Sequence, residues 1–484
     1  MKLKLPCTVI LAAALCSCGG SPSTLPSDFA IVSPPSVFVP IGFSSASFQV
    51  SIVSANRSNQ PISISVTGLP QGVTTTPSSP FTINAGSSQA VVFNAAANVT
   101  ANQQQVSFAA TSGAMTHTAL ISVSVAHPVY AFVARAGPIN LPELPSDVYE
   151  FAIDSNTGSI TSPANPSTIF NEPPYYLAAA TLPGGTFLFV LSSTGPFSHL
   201  WTFKVDPATG TLTNRSTIDF GDTEPRWLAV HPSGKFLYTD RADYTQNQFC
   251  ITAFLIDPQT ANLTESSCSG ELSASFVVPP PGKFAYATNA QDGSLRGYVV
   301  DQNNGSLTPL QNIPSGQIQS VFASDPNGRG LYNLAGSTSP GCSELRIWTI
   351  DSASGSLTPV NTSFGPVECG PLSITFTPAD TFAYVTSSPF QTPNGIAAGA
   401  VDPVTGNLTN LSGSPFSTAW FAHVEPSQGK FLIGLVGNGG GSYLIDPTAG
   451  VPAQTPTSTS PFTGNLDVSP ISFGSGFVVV LTNK

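Results

Sequence analysis

The stretch Leu200 to Thr213, LWTFKVDPATGTLT, decides the architecture of this 484-residue chain because variants of it recur downstream and upstream. Its first half alternates apolar and polar residues, with Trp201, Phe203 and Val205 on one side, which is typical of a strand with one buried face. The Asp-Pro-Ala-Thr-Gly that follows favours a turn, since Asp can bond the backbone two residues on, Pro presets φ and Gly accepts a positive φ. The stretch is therefore predicted to be a β-hairpin.

Seven copies of this phrase occupy the later two-thirds of the chain. Their aspartates are 44 to 52 residues apart, and they are Asp154, Asp206, Asp257, Asp301, Asp351, Asp402 and Asp446. An active-site role for these aspartates is the alternative, but a turn cap in every repeat explains them by local geometry. A second repeated phrase, such as LAVHPSGKFLYT at 228–239, adds two more apolar strands before each hairpin. A repeat of about 40–50 residues with strand signals is typical of a β-propeller with four strands per blade.

The two ends of the repeated region complement each other. Residues 130–134 (YAFVA) look like the second strand of a blade with no first strand before it, and residues 477–481 (FVVVL) look like a first strand with no second strand after it. We expect the C-terminal strand to complete the first blade and to remove the open sheet edges. The fold class predicted for 127–484 is an all-β, seven-bladed propeller closed in this way.

The N-terminal sequence predicts that the protein is located in the cell envelope. Lys2 and Lys4 precede an apolar run over 6–15 that is too short to span a bilayer, so residues 1–17 are interpreted as a cleaved signal. Leu15-Cys16-Ser17-Cys18 resembles the bacterial lipoprotein box, which implies cleavage before Cys18 and lipid on its thiol. An ordinary signal peptide is the alternative. Residues 18–28 are rich in Gly, Ser and Pro and are predicted to be a flexible tether.

A separate domain is predicted over 29–126. Short alternating runs such as Phe48, Val50 and Ile52 recur between turn-rich segments. About seven short strands in roughly 100 residues favour an immunoglobulin-like β-sandwich. The phrase GLPQGV at 68–73 resembles the immunoglobulin-like modules of bacterial surface proteins. The expected role is a spacer or an adhesion module.

Four cysteines lie outside the signal, and their positions predict two disulfides. Cys250 and Cys268 face each other across the outer hairpin of one blade, and Cys342 and Cys369 hold the same relation in another. Two such bridges are typical of an oxidising compartment, here the periplasm or the cell surface. A metal site is not expected, since the spacings are long and no histidine lies nearby in sequence. The sequence carries no cofactor motif.

The composition bounds the partners. Only 8% of the residues are charged and the formal net charge is −11. This excludes the basic footprint that nucleic-acid binding requires. No second apolar stretch is long enough for a transmembrane helix. We expect a monomer that touches the membrane only through its N-terminal lipid, and whose partner is an envelope glycan, peptide or protein.

The phrases EPRWLAVHPSGKFLYT (224–239) and FKVDPATGTLT (203–213) resemble the seven-bladed β-propeller lactonase family, which includes the 6-phosphogluconolactonase-like enzymes. The resemblance implies the propeller fold and hydrolysis of a lactone. The chain departs from the family at its functional motifs. Tyr175, Tyr176 and Leu177 stand where members carry a His-x-His pair. Pro225-Arg226 is kept, but the histidine that follows it in the family is Trp227, and residues 241–243 (Arg-Ala-Asp) replace Asn-Glu-Leu.

Two sets of candidate site residues follow. Opening a lactone needs a group that activates water and donors for the developing oxyanion, and the candidate catalytic residues are Arg226, His423 and Asp243. Sugars and peptides suit aromatic platforms with a few polar partners. The candidate ligand-binding residues at or just before the first strands of blades are Tyr175, Tyr176, Arg226, Trp227 and Trp420. The alternative is that these aromatics fill the channel or pack between blades. His231, in a His-Pro-Ser-Gly turn, is interpreted as structural.

Two functions from different classes are therefore expected. The main prediction is a lipid-anchored binding or scaffold protein with little 6-phosphogluconolactonase activity, because the family histidines are replaced. The alternative is an extracytoplasmic lactone hydrolase with a rebuilt site. A cluster of His423, Arg226 and Asp240 or Asp243 around one pocket would favour the enzyme. A wide aromatic face without paired titratable groups would favour binding.

Overall fold

The computed structural model describes residues 28–45, 47–55, 61–135, 146–161, 168–170, 176–182, 185–193, 198–221, 223, 225–243, 248–313, 322–336, 343–360, 364, 371–387, 395–416, 421–436, 439–453, 458–459 and 477–481. Within these ranges every regular element is a β-strand. They contain no helix that could cross a membrane. The predicted all-β class is confirmed.

Residues 28–126 form two facing sheets, here called the N-terminal sandwich. Its strands are β1 (Asp28–Val32), β2 (Ser36–Pro40), β3 (Phe48–Ala55), β4 (Pro61–Thr67), β5 (Val73–Thr76), β6 (Phe81–Asn84), β7 (Ser88–Ala95), β8 (Asn102–Ser112) and β9 (Met115–Ala126). One sheet has the order β1-β3-β7-β5 and the other β2-β9-β8-β4-β6. Val50, Val91 and Val106 are fully buried in one shared core between them. The alternation of apolar and polar residues seen in the sequence therefore places one face of each sheet in this core.

The rest of the described chain forms seven sheets, numbered here in chain order. Sheet 1 contains β10 (Val129–Arg135), β11 (Ser146–Ile153), β12 (Ile160–Thr161), β13 (Thr168–Phe170) and β38 (Phe477–Leu481). Sheet 2 contains β14 (Tyr176–Thr181), β15 (Phe187–Ser193), β16 (His199–Val205) and β17 (Leu212–Asp219). Sheet 3 contains β18 (Ala229–Val230), β19 (Phe236–Asp243), β20 (Gln248–Ile256) and β21 (Leu263–Ser269). Sheet 4 contains β22 (Ser273–Val277), β23 (Phe284–Asn289), β24 (Leu295–Val300) and β25 (Leu307–Ile313).

The last three sheets repeat the same order. Sheet 5 contains β26 (Phe322–Ser324), β27 (Gly330–Gly336), β28 (Ser343–Ile350) and β29 (Leu357–Val360). Sheet 6 contains β30 (Pro371–Phe376), β31 (Phe382–Ser387), β32 (Ile396–Val401) and β33 (Leu408–Asn410). Sheet 7 contains β34 (Phe421–Val424), β35 (Phe431–Val436), β36 (Gly439–Leu444) and β37 (Ser458–Thr459). Each sheet is an antiparallel meander of consecutive strands, with two exceptions in sheet 1. There β13 pairs with β11, and β38 from the C-terminus pairs with β10, with Val129 opposite Leu481 and Val133 opposite Phe477.

The repeated aspartates are turn caps. Asp206 Oδ1 accepts hydrogen bonds from the backbone N–H groups of Ala208 and Thr209, both at 2.9 Å. The same pair of bonds recurs in the turns of sheets 3 to 7. The turn ends on a residue at positive φ, such as Gly210 at +76°. In sheet 3 that residue is Ala261, at +55°, so the repeat tolerates a methyl group there. The turn-cap prediction is confirmed.

A hydrophobic core fills the space between each sheet and the next. Six cores join sheet 1 to sheet 2 and so on to sheet 7. A seventh joins sheet 7 back to sheet 1, where Phe431 and Ile433 contact Val129, Ala131 and Phe151. The strand β38 also lies against both β14 of sheet 2 and β34 of sheet 7.

A tyrosine on the second strand of several sheets bonds the turn of the following sheet. The hydroxyl donates to the carbonyl of the turn glycine at 2.6 to 3.1 Å, in the pairs Tyr238–Gly305, Tyr286–Gly355, Tyr332–Gly406 and Tyr384–Gly450. Each of these tyrosines is fully buried. Each hydroxyl therefore pairs inside an otherwise apolar core, where an unbonded polar group would be costly.

The described residues include one of the two predicted disulfides and none of the predicted signal. Cys250 on β20 and Cys268 on β21 are bonded, with their Cα atoms 5.6 Å apart, which is within the usual range for a bridge. Cys342 and Cys369 lie outside the described residues, as do the signal, Cys18 and all of the tether except Asp28.

Candidate functional site

The candidate site lies at the upper end of sheet 3, where the upper end of a sheet is the end at which its first strand begins. Arg226 lies just before β18, and Asp240 lies in the last half of the neighbouring strand β19. The two meet because β18 and β19 are antiparallel. Asp240 Oδ1 accepts the backbone N–H of Arg226 at 2.7 Å, and Oδ2 accepts its side-chain Nε–H at 3.0 Å. One carboxylate thus fixes both the backbone and the guanidinium of Arg226.

Burial governs the electrostatics of this pair. The side chain of Asp240 is fully buried, whereas that of Arg226 is 38% exposed. Burial raises the pKa of Asp240 above its usual range, and the Arg226 guanidinium opposes that rise. Both carboxylate oxygens are bonded to Arg226, so Asp240 orients the arginine and is not placed to take a proton from a substrate or from water.

The Arg226 side chain is 38% exposed, and its Nε and terminal nitrogens have different surroundings. Its Nε is used by Asp240, and within the described residues neither terminal nitrogen has a hydrogen-bond or ion-pair partner. A guanidinium offers these two nitrogens as parallel donors to a carboxylate, a phosphate or a developing oxyanion. The arrangement can therefore hold an anionic oxygen at the upper end of sheet 3.

Trp227, predicted to bind ligand, is a core residue. It is 9% exposed, and its ring stacks on that of Phe276 with centroids 5.1 Å apart. Its Nε1–H donates to the carbonyl of Ser273 at 3.0 Å, and its own carbonyl accepts from Thr239 at 2.7 Å. The ring packs in the core between sheets 3 and 4.

His231 occupies a structural position. It is fully buried in the turn between β18 and β19. Its Nε2–H donates to the carbonyl of Gly282 in sheet 4 at 2.8 Å, and Nδ1 accepts the backbone N–H of Ser233 at 3.1 Å. Burial lowers the pKa of His231. The neutral ring therefore ties sheet 3 to sheet 4 at the lower end, away from Arg226.

The structure does not bring all the predicted site residues together. Tyr175 and Trp420 lie outside the described residues, and Tyr176 is the first residue of β14. Asp243 ends β19 and is 7% exposed. His423 lies on β34 in sheet 7, whereas Arg226 lies in sheet 3. The described contacts of Arg226 therefore do not include His423. Arg226 is paired with Asp240.

Sequence reasoning missed a polar network at the upper end of sheet 4. Glu271 Oε2 accepts from Arg296 Nε at 2.9 Å and from the side-chain amide of Asn289. Arg296 Nη2 also bonds Asp292 Oδ2 at 3.1 Å. Glu271 lies just before β22, Asn289 at the end of β23 and Arg296 at the start of β24. The sequence did predict the order of these strands. That order was the one signal from which the meeting of these three strand ends could have been inferred.

Among the residues that the structure describes, no three His, Cys, Asp or Glu side chains lie together in a way that could hold a metal ion.

A model of the family described as "Lactonase, 7-bladed beta-propeller" matches residues 139–278, a segment that contains the Arg226–Asp240 pair. A 6-phosphogluconolactonase of Serratia proteamaculans is 27% identical over 147 residues, which cover 30% of this chain and 40% of that protein. Another 6-phosphogluconolactonase, from Pectobacterium carotovorum, is 29% identical over 128 residues, which cover 25% and 37%. The chain thus matches about two-fifths of the length of these curated relatives. The matches support a relationship to the lactonase propellers and favour the enzymatic alternative over the binding prediction.

Solved structures show the fold. A periplasmic gluconolactonase from Pseudomonas aeruginosa superposes with a TM-score of 0.55 at 16% identity, covering 73% of this chain and 100% of that chain. A putative 6-phosphogluconolactonase from Bacteroides fragilis gives 0.52 at 18% identity, covering 69% and 98%. The repeated part of this chain therefore has a propeller-like β fold.

Proposed function

We propose that this protein is a lactone hydrolase related to the 6-phosphogluconolactonases, acting outside the cytoplasm. One observation carries the proposal: the segment that resembles the lactonase family holds an arginine whose position is fixed by a fully buried carboxylate and whose outer nitrogens have no partner among the described residues. Burying the carboxylate that orients Arg226 removes its charge from water, which is costly. A surface arginine with a merely structural role would not need such a partner.

Arg226 is assigned the role of oxyanion donor. In hydrolysis, the oxygen of water adds to the lactone carbonyl carbon, and the carbonyl oxygen gains negative charge. The ring C–O bond then breaks as the carbonyl re-forms. One of the two protons of the attacking water passes to the ring oxygen and the other is released to the solvent, so the hydroxy acid leaves as its carboxylate. Donors held in place before the reaction stabilise the developing charge without reorganisation. The two terminal nitrogens of Arg226 suit first the oxyanion and then the product carboxylate.

The test is the hydrolysis of gluconolactone and 6-phosphogluconolactone by the purified full-length chain at neutral pH, followed by acid release and corrected for the spontaneous rate. Replacing Arg226 with Met should lower kcat about 10²–10³-fold, the usual cost of losing an oxyanion donor. Lys235→Met is the matched control. It removes the same charge from an exposed residue of the lower turn of sheet 3 and should leave kcat unchanged.

A second variant separates catalysis from folding. Arg226→Met alone leaves Asp240 buried without its partner, which costs about 3–5 kcal/mol. The double variant Arg226→Met with Asp240→Leu removes both charges, so it should unfold close to the wild-type midpoint while staying inactive. Activity in this folded double variant would contradict the role of Arg226.

The second candidate function is ligand binding without turnover. The replacement of the histidine of the resembling enzymes by Trp227, whose indole cannot accept a proton from water, favours it. Lack of turnover in the wild-type chain, together with retention on an immobilised envelope glycan or peptide, would favour this binding function over the hydrolase.

The finer architecture belongs to the same proposal. We propose that sheets 1 to 7 form a closed seven-bladed propeller over 127–484, with β38 completing the first blade. The core between sheet 7 and sheet 1 supports this closure. We also propose that residues 29–126, within the N-terminal sandwich, form an immunoglobulin-like domain, which the two facing sheets support.

The anchor is proposed from the sequence. The Leu15-Cys16-Ser17-Cys18 box supports a mature chain that begins at a lipidated Cys18 and lies in the bacterial envelope as a monomer. Mass spectrometry of the N-terminal peptide decides this, since an unmodified Cys18 or another start would rule it out.

A further inference from the structure

The turn over residues 154–158, between β11 and β12 of sheet 1, differs from its six counterparts. It lies where the N-terminal sandwich, sheet 1 and sheet 7 meet, and it is called here the junction turn. Asp154 is 7% exposed, whereas the capping aspartates of sheets 2 to 7 are exposed. The junction turn is therefore covered by other parts of the chain, and its contacts define what covers it.

On one side, the junction turn is bonded to the end of β9 in the sandwich. Ser124 Oγ–H donates to Asp154 Oδ1 at 2.9 Å, and Ser124 is 5% exposed. The side-chain amide of Asn156 donates to the carbonyl of Val125 at 3.1 Å and to Ser124 Oγ at 3.2 Å. These bonds fix the sandwich to sheet 1 beside the direct connection from β9 to β10, which is only two residues long.

On the other side, the same turn is bonded to sheet 7. Lys430 Nζ donates to the carbonyl of Asn156 at 2.7 Å. Ser442 Oγ–H donates to the carbonyl of Gly158 at 2.5 Å. Gly158 lies so close to the Phe431 ring that a Cβ atom there would be 2.6 Å from Cε1. The turn thus spans the contact between the first and the last sheet.

This contact lacks the tyrosine that joins sheets 3 to 7, as does the contact between sheets 2 and 3, where Phe189 holds the equivalent position. Ile433 on β35 holds the position that Tyr384 holds on β31, so no tyrosine hydroxyl reaches the junction turn from that strand. Sheet 1 is also the sheet that is assembled from both ends of the repeated region, through the β10–β38 pairing. The chain has to close its longest loop here, and such a closure costs conformational entropy that local contacts must offset.

We propose that the N-terminal sandwich functions as a clamp that holds sheet 1 against sheet 7 and thereby keeps β38 in place. Asn156 is the central residue of the clamp, since its amide reaches the sandwich while its carbonyl accepts from sheet 7. The role is separate from the spacer or adhesion role expected from the sequence, and it does not depend on the proposed activity.

The experiment is hydrogen exchange of the full-length chain, read by mass spectrometry at residues 477–481. Asn156→Ala removes the bonds to the sandwich and should speed exchange of β38 about two- to tenfold, the effect of losing one or two net hydrogen bonds. Lys430→Met, which removes a bond on the sheet 7 side, should speed exchange of β38 to a similar degree. Asn303→Ala is the matched control, because Asn303 holds the same place in the exposed turn of sheet 4.

Faster exchange of β38 in Asn156→Ala and Lys430→Met, but not in Asn303→Ala, supports the clamp. Unchanged exchange of β38 in Asn156→Ala, with any increase confined to 124–126 and 154–158, would overturn it. Equal acceleration in Asn303→Ala would also overturn it, because the effect would then be general to these turns.

Discussion

Gly450, in the turn of sheet 7, offers the sharpest test of how neighbouring sheets pack. Its φ is +69°, and a Cβ atom built on it would lie 2.3 Å from Cδ1 and 2.5 Å from Cε1 of Phe382 in sheet 6. Gly450→Ala therefore meets two obstacles at once, the left-handed backbone and the aromatic ring. Gly221→Ala meets only the first, since Gly221 has a φ of +57° and no atom of the described part of the chain within 4 Å of its Cβ position.

The expected costs follow from this difference. The left-handed conformation costs an L residue about 1–2 kcal/mol, and that cost applies to both variants. Forcing a methyl group into a packed contact adds about 1–3 kcal/mol, because the Phe382 ring or the turn must shift. Gly450→Ala should therefore lower the free energy of unfolding by about 2–5 kcal/mol, and Gly221→Ala by about 1–2 kcal/mol.

Urea unfolding of the full-length chain, followed by tryptophan fluorescence, measures both variants against the wild type. The larger loss should appear in Gly450→Ala. Equal losses in the two variants would refute the reasoning, since they would mean that the turn of sheet 7 does not pack against the Phe382 ring.

Three further predictions concern buried polar groups. Burial raises the pKa of Glu150 from its ordinary 4.5 to about 7. Its contribution to stability is therefore present below pH 4.5 and is lost as the pH rises through about 7. Glu150→Gln should reduce this loss, which unfolding midpoints measured between pH 4.5 and 8 will test. Burial lowers the pKa of His231. Its contribution to stability is therefore present above about pH 6.5, the usual pKa of histidine, and is lost as the pH falls. The difference in stability between the wild type and His231→Gln should shrink from pH 7 to pH 5, and a constant difference would contradict this. Tyr332→Phe leaves the carbonyl of Gly406 without its 2.6 Å bond and should cost about 1–3 kcal/mol, measured by thermal unfolding; a loss within error of zero would show that the bond is dispensable.

The hairpins could be predicted from the sequence because the information that forms them is local. The alternation around Phe203 indicates the strand, although both faces of β16 are buried, since Leu200 and Phe203 lie in different cores. Asp206 caps a turn two and three residues away. The repeat spacing then implies seven similar sheets. The position of the C-terminal strand could be predicted because residues 130–134 lacked a first strand and residues 477–481 lacked a second strand. The structure pairs these two segments.

The candidate site could be predicted only in part. Arg226 stood out through a resemblance, and Asp240 was among the carboxylates expected near it, but the bonding of both its oxygens to Arg226 depends on how β18 and β19 align. Trp227 was expected to face a ligand, because an aromatic residue at the start of a strand suits either a binding surface or a core. Its burial depends on the space beside Phe276, which lies in the next sheet.

The sequence by itself determined the strand period, the capped turns and the number of repeats, since each of these depends on residues within one hairpin or on simple spacing. Tertiary structure decided which polar groups meet: Asp240 with Arg226, and Asn156 with both the sandwich and sheet 7. The physical reason is distance along the chain. Ser442 and Gly158, bonded across the contact between the first and last sheets, are 284 residues apart, and no local preference of either residue encodes that partner.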